Sequence, residues 1–283
     1  MSDSNFPIDL KALSEPAVKL IEAVRDAVGV VYEPTRIRRK AKAEADAAVI
    51  LARNQVEVRE IEIRASERLI RRELRRQENI EKITKKAVDA LPLTVSKEPV
   101  DQDWISRFFE NCQDIGNEEM QSLWAKLLAG EVAKPGTFSL RTLRVTRDLA
   151  RDDALLFTSF CRFVWVIPGV GLTPVIHDLE DKCFAEAGLQ FTSFLHLASL
   201  GLIEFNEITG FNLKNVSKGS AFYYGRHHFI SIAEDKKELQ IGRALLTSAG
   251  KELAPIAGSE AMESYRTSVI EKWKKEGWSV TDG

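Results

Sequence analysis

The 283-residue chain has little cysteine and no long apolar run, and between Pro34 and Pro92 it has neither glycine nor proline. Each shortage excludes something. Cys112, Cys161 and Cys183 are odd in number, widely spaced and set in apolar helical patterns, so they read as buried reduced thiols and not as a disulfide framework. No run of about 18 uninterrupted apolar residues exists, which excludes an ordinary transmembrane helix. Met1 opens no basic, apolar, small-residue signal, so the expected location is the cytoplasm.

Catalytic motifs are missing as well. There is no phosphate loop of the form G-x-x-x-x-G-K-[ST], no G-x-S-x-G elbow, no H-E-x-x-H and no C-x-x-C. His177 and Cys183 lie six apart, a spacing that fits no standard zinc site. His227 and His228 are adjacent, so in a strand they face opposite sides and cannot share a ligand. The carboxylate pairs Glu118-Glu119 and Asp152-Asp153 sit where helices begin, where the helix dipole favours them without any chemistry. The expectation is a non-enzyme with no cofactor and no metal.

What is present is one segment around which the rest is arranged. From Pro34 to Ala90 the chain reads as a single long charged helix. Ala47, Val58, Leu69 and Ile80 recur every eleven residues, and Ile50, Ile61 and Ile83 repeat the spacing with Arg72 interrupting. Such a stripe runs nearly straight along a helix and reads as a seam for another helix. Val58, Ile61, Leu69 and Ile80 are therefore the expected oligomerisation contacts. Glu60 with Arg64, Glu67 with Arg71 and Glu78 with Lys82 form supporting i,i+4 pairs. From Arg36 to Lys86 there are 16 Lys and Arg against nine Asp and Glu, a local net of +7, so the remainder carries −9 to give −2 overall. Its densest part, Arg71, Arg72, Arg75 and Arg76, reads either as a solvated face or as a contact for phosphate or anionic lipid. Aromatic residues that would stack bases are absent between Tyr32 and Trp104.

Residues 8 to 32 predict an amphipathic helix with Ser14 as cap and Pro16 in its first turn. Leu20, Ile21, Val24, Val28 and Val31 share one side and are the expected membrane-facing residues, although a helix packed on its own protein reads equally well. After Pro92 compact helical signals follow: Asp101 or Asp103 opens one helix, Asn117 caps the next, and Ser139 and Asp152 begin two more. From Pro168 the pattern mixes a glycine-rich loop, a helix from Phe191 to Leu200 stopped by Gly201, short strands at Leu202–Phe205 and Tyr223–Ile232, and a strand running into a Thr247-capped helix. That layout is winged-helix-like. Since the helix from Phe191 to Leu200 offers no Arg or Lys, protein contact is favoured over DNA reading.

The fold class expected is thus mainly α. It comprises an amphipathic segment at 1–33, a long charged helix at 34–91, a helical domain at 92–167, a winged-helix-like α+β unit at 168–258, and a C-terminal helix and tail at 259–283.

Three blocks carry a resemblance. Leu123-Trp124-Ala125-Lys126-Leu127-Leu128-Ala129-Gly130-Glu131, followed by Pro135-Gly136-Thr137-Phe138-Ser139-Leu140-Arg141-Thr142-Leu143, resembles the signature of a bacterial family of unknown function. Leu200-Gly201-Leu202-Ile203 and Leu246-Thr247-Ser248-Ala249-Gly250 resemble the same family and, more loosely, abortive-infection proteins of the Abi-alpha type. The resemblance implies a cytoplasmic bacterial protein serving in defence against phage, and it implies no catalytic residues. The resulting expectation is a self-assembling homo-oligomeric defence effector that senses a protein trigger such as a phage protein and disrupts the inner membrane, associating with it when active. The alternatives are a nucleic-acid-binding module using the basic helix and the winged-helix-like unit, and a plain structural scaffold.

Overall fold

A computed structural model of the chain describes residues 14–28, 60–214, 218–232 and 238–283. The chain divides into two compact units, residues 1–143 and 144–283.

The first unit is helical. It holds α1 (Glu15–Val28), α2 (Glu60–Asp89), α3 (Gln102–Cys112), α4 (Glu118–Ala133) and the start of α5 (Leu140–Asp148), inside which the division falls. Its helix starts follow from side-chain acceptors for the first free N–H groups. Asp101 Oδ1 accepts from the Trp104 N–H at 2.8 Å, and Asn117 Oδ1 accepts from Glu119 and Met120 at 3.1 and 3.0 Å. The core lies where α3 and α4 face each other, with Trp104, Phe108 and Trp124 in ring contact at 5.3 Å and every one of them buried. α1 packs against α3 and touches α2 and α4.

The second unit corrects the mainly α expectation. It contains α6 (Arg151–Cys161), β1 (Val164–Ile167), β2 (Gly171–Pro174), α7 (Lys182–Glu186), α8 (Phe191–Ser199), β3 (Ile203–Phe205) and β4 (Phe211–Lys214). β5 (Lys218–Tyr223), β6 (Arg226–Ile232), β7 (Glu238–Gly242), β8 (Ala244–Leu246), α9 (Ser248–Leu253), α10 (Glu263–Lys275) and β9 (Trp278–Asp282) complete it. The strands form a five-stranded antiparallel sheet in the order β2-β1-β5-β6-β9 and two small sheets, β3-β8 and β4-β7. The chain is therefore mixed α+β.

The physical reason is local. The helical domain expected to run to residue 167 stops short: α6 ends at Cys161, and the β-branched and aromatic run Val164-Trp165-Val166-Ile167 pairs with residues 171–174 instead. The stretch from Pro168 to Pro174 read as a loop is the turn of that hairpin at 168–170 and then β2 itself. Likewise Gly277, at φ 94°, stops α10, and the expected tail becomes β9 on the edge of the sheet. The winged-helix-like grouping dissolves for the same reason: β5 and β6 join β1, β2 and β9, while β3 and β8 pair apart.

α10 covers one face of the large sheet. Trp165 and Trp273 meet with ring centroids 5.1 Å apart, and the Trp165 indole N–H donates to the Tyr265 hydroxyl at 3.1 Å. That hydroxyl lies 2.9 and 2.7 Å from the carbonyl oxygens of Phe163 and Val175, which ties α10 to the strand region at a fully dry point. No helix among the described residues is long and apolar enough to cross a membrane.

Candidate functional site

The blocks that carry the family resemblance come first, and they build joints. At the end of α4 the buried Glu131 carboxylate accepts from the Gly136 N–H at 2.6 Å and from the Phe138 N–H at 2.9 Å. The Trp104 indole N–H donates to the Phe138 carbonyl at 2.7 Å. A Cβ on Gly130 would lie 2.7 Å from the Phe138 ring, so only glycine lets that ring close the corner. The two later blocks meet each other. Thr247 Oγ1 donates to the Gly201 carbonyl at 2.7 Å and accepts the Gly250 N–H at 3.0 Å, and the Thr247 N–H donates to the Leu202 carbonyl at 3.1 Å. Glu131 and Thr247 are thus engaged in holding backbone, a structural role.

The expected association surface is on α2. Its two halves have different fates. From Asn79 onward Asn79, Ile80, Glu81, Ile83, Thr84 and Ala87 are buried, chiefly against α4. Asn79 Nδ2 donates to the Gln113 carbonyl at 2.9 Å, and Gln121 Nε2 donates to Asn79 Oδ1 at 3.2 Å and to the Ile115 carbonyl at 2.9 Å. Lys86 Nζ donates to the Glu118 carbonyl and to Ser122 Oγ. From Glu60 to Arg75 no residue is buried. That half measures roughly 24 Å at about 1.5 Å per residue. Ile61 is 65% exposed and Leu69 51% exposed.

The expected oligomerisation residues are thereby separated. Ile61 and Leu69 lie on the uncovered half, Ile80 is buried within its own chain, and Val58 lies outside the described residues. The four arginines are separated too. Arg76 donates from Nε and Nη2 to the Asp114 carboxylate at 3.0 and 2.7 Å and also pairs with Glu73 at 3.2 Å. Arg75 lies 3.5 Å from Asp114, and Arg72 Nε donates to Glu73 at 3.0 Å. Arg71 has no ion pair among the described residues. The hydrogen bond from Arg76 holds the Asp114 carboxyl below the usual carboxylate range and raises the guanidinium in turn. Arg64, Glu67, Arg68, Arg71, Arg72 and Arg75 line an open groove of about 570 Å³. Sequence reasoning missed Asp114, an exposed acid in a short loop whose role depends on a helix 38 residues away.

The expected membrane-facing residues lie on α1. Leu20, Ile21 and Val24 are buried against protein in the first unit, Val28 is half-buried, and Val31 lies outside the described residues. Lys19 anchors the helix. Its ammonium donates to the carbonyls of Ser96, Glu98 and Val132 at 2.7, 2.5 and 3.2 Å, the last of these in the final turn of α4. Burial lowers its pKa, partly offset by Glu98.

The fold and surface together define a two-unit α+β protein with one half-covered charged helix. Residues 63–270 match the family described as proteins of unknown function, DUF2806, and the chain belongs to that family. The match begins inside α2 and ends inside α10. No curated protein and no solved structure matches the chain.

Proposed function

We propose that the chain is a non-enzymatic, self-assembling protein whose copies associate through the uncovered half of α2. The observation that carries this reading is the exposure of Ile61 and Leu69 on a helix whose continuation, at Ile80 and Ile83, is covered by its own chain. An apolar stripe of that length left in water costs free energy that a second helix recovers. The test is the mass of the intact protein in solution by light scattering after size exclusion. Self-association lost in Ile61→Asp with Leu69→Asp supports the reading; a wild type that is monomeric at every concentration overturns it.

The defence role implied by the looser Abi-alpha resemblance rests on the same assembly: copies brought together by a protein trigger would present α1 to the inner membrane. Such a step requires α1 to leave its present packing, since Leu20, Ile21 and Val24 face protein and Lys19 is held by three carbonyls. Dye-reported membrane potential in bacteria overproducing the intact chain tests it, and an unchanged potential counts against it.

One observation favours a second reading. Five of the six groove-lining residues on α2 are arginines, which suits an anionic partner such as nucleic acid. A duplex-DNA shift that weakens steeply with salt and is lost in Arg68→Ala with Arg71→Ala supports it. No shift at low salt removes it.

A further inference from the structure

The uncovered half of α2 carries an apolar line with a different charge on either side. At about 100° per residue, Ile61, Ala65, Leu69 and Arg72 fall along one line of the helix, spaced by four, four and three residues. Ile61, Ala65 and Leu69 are all exposed. The continuation of the same line, at Ile80, Ile83 and Ala87, is buried within the chain, so the free seam ends where that cover begins.

The two flanks of that line are opposite in sign. Glu62, Ser66 and Glu73 lie on one side of it, whereas Arg64, Arg68 and Arg75 lie on the other, with Arg71 further round. All four of these arginines line the open groove, which therefore borders the basic flank. Neither Glu62 nor Arg68 has an ion pair among the described residues. Arg64 pairs with Glu60 of its own helix, both largely exposed, and a surface pair of that kind gives way at little cost.

A second copy of α2 can meet this surface in two directions. In an antiparallel pair the two-fold axis crosses the helices, so each acidic flank lies against the other acidic flank and each basic flank against the other basic one. In a parallel pair the axis runs along the helices, and the acidic flank of each copy faces the basic flank of the other. Opposite charges across a seam favour one direction, and like charges exclude the other. The surface is thus complementary to itself in one orientation only, which singles out a second copy as occupant: a uniformly charged partner would be attracted by one flank and repelled by the other. Arg72 sets the register. It lies in the seam, donating to Glu73 at 3.0 Å, and a single charged seam residue disfavours any stagger that would set it against Leu69.

We propose that α2 pairs parallel and in register with α2 of a second copy, Ile61, Ala65 and Leu69 each meeting its own counterpart and Glu62 facing Arg64 and Arg68 across the seam. This rests on the self-association proposed above and adds its direction and register.

The experiment is disulfide formation in the intact chain under mild oxidation, with Ile61→Cys, with Leu69→Cys and with a mixture of the two, read as linked chains on a non-reducing gel. The native cysteines are buried, and the wild type is the blank. In the parallel pair each variant links to itself. The two positions lie about 12 Å apart along the helix and a disulfide spans Cα atoms at most about 7 Å apart, so an antiparallel pair in any register self-links at most one of them. The flanks are read by light scattering: Glu62→Lys weakens association by roughly threefold or more, and adding Arg64→Glu with Arg68→Glu to the same chain recovers it. Self-linking of both single variants supports the proposal. A wild type that is monomeric at every concentration overturns the association and this proposal with it. A dimer that links chiefly in the mixture, or one in which Glu62→Lys associates as tightly as wild type, overturns the direction alone.

Discussion

The two halves of α2 share one helix, one apolar spacing and one kind of charge pattern, yet one half is core and the other is surface. Ile80 and Ile83, at 8% and 0% exposure, lie in the half that packs on α4, whereas Ile61 and Leu69 remain exposed. The difference shows that the eleven-residue stripe is a capacity for helix contact and not a designation of partner. What assigns the partner is polar and lies off the stripe: Asn79 and Lys86 bond to α4 and to the turn before it, Asn79 through Gln121 of α4, and Asp114 holds Arg75 and Arg76 where the cover ends.

The comparison is sharpened most by deleting the same kind of side chain from each half. Ile83→Ala should cost about 2–5 kcal/mol, because a fully buried side chain leaves a cavity that a helix pair closes only in part. Leu69→Ala should stay within about 0.5 kcal/mol in the monomer. Urea unfolding of both variants, below the concentration at which copies associate, measures the contrast. Equal losses would mean that the N-terminal half is covered after all.

Next in size is the polar lock. Asn79→Ala leaves the Gln113 carbonyl without its donor and Gln121 without one acceptor, both at a 4%-exposed site. Orphaning buried groups in this way costs about 1–3 kcal/mol. The loss should be matched by faster amide exchange from residue 79 to residue 87 and none from 60 to 70. Uniform acceleration along α2 would refute a divided helix.

Most of the first unit could be read from residues alone, because capping groups and the 3.6-residue period are local signals. Asp101 and Asn117 cap as their sequence positions imply. The large sheet could not. β1 and β2 are four residues each, and the burial of three of the four β1 residues erases the alternation that marks a half-buried strand. Phe160 and Val164 also continued the period of the preceding helix, so the chain reads as helix until the sheet claims it. At the candidate surface, Leu69 and Ile80 are equivalent positions of one repeat and Ile61 and Ile83 of the other, and only tertiary contact separates them. His177 and Cys183, whose spacing fits no standard zinc site, line one pocket together with Lys272 from a helix about 95 residues further on, a grouping that no spacing in the sequence announces.

The smallest expected effect concerns the boundary between the halves. Asp114 has its carboxyl held below the usual range by the Arg76 hydrogen bond, so its ionised form is favoured in the folded state. A depressed carboxylate contributes stability that is fully present above the ordinary value of about 3.9 and is lost as pH falls through the folded one. Because Asp114 is about half exposed and Arg76 partly so, the pair behaves as a surface ion pair, whose contribution is small and shrinks with salt. Asp114→Asn should therefore lower the urea midpoint slightly at neutral pH and low salt, and the gap to wild type should close on acidification below the carboxylate range or on adding salt. The same variant should speed amide exchange at residues 73 to 78, where cover gives way to water, while leaving Ile83 protected. A gap that persists in acid would mean that Asp114 acts through packing and not through its charge.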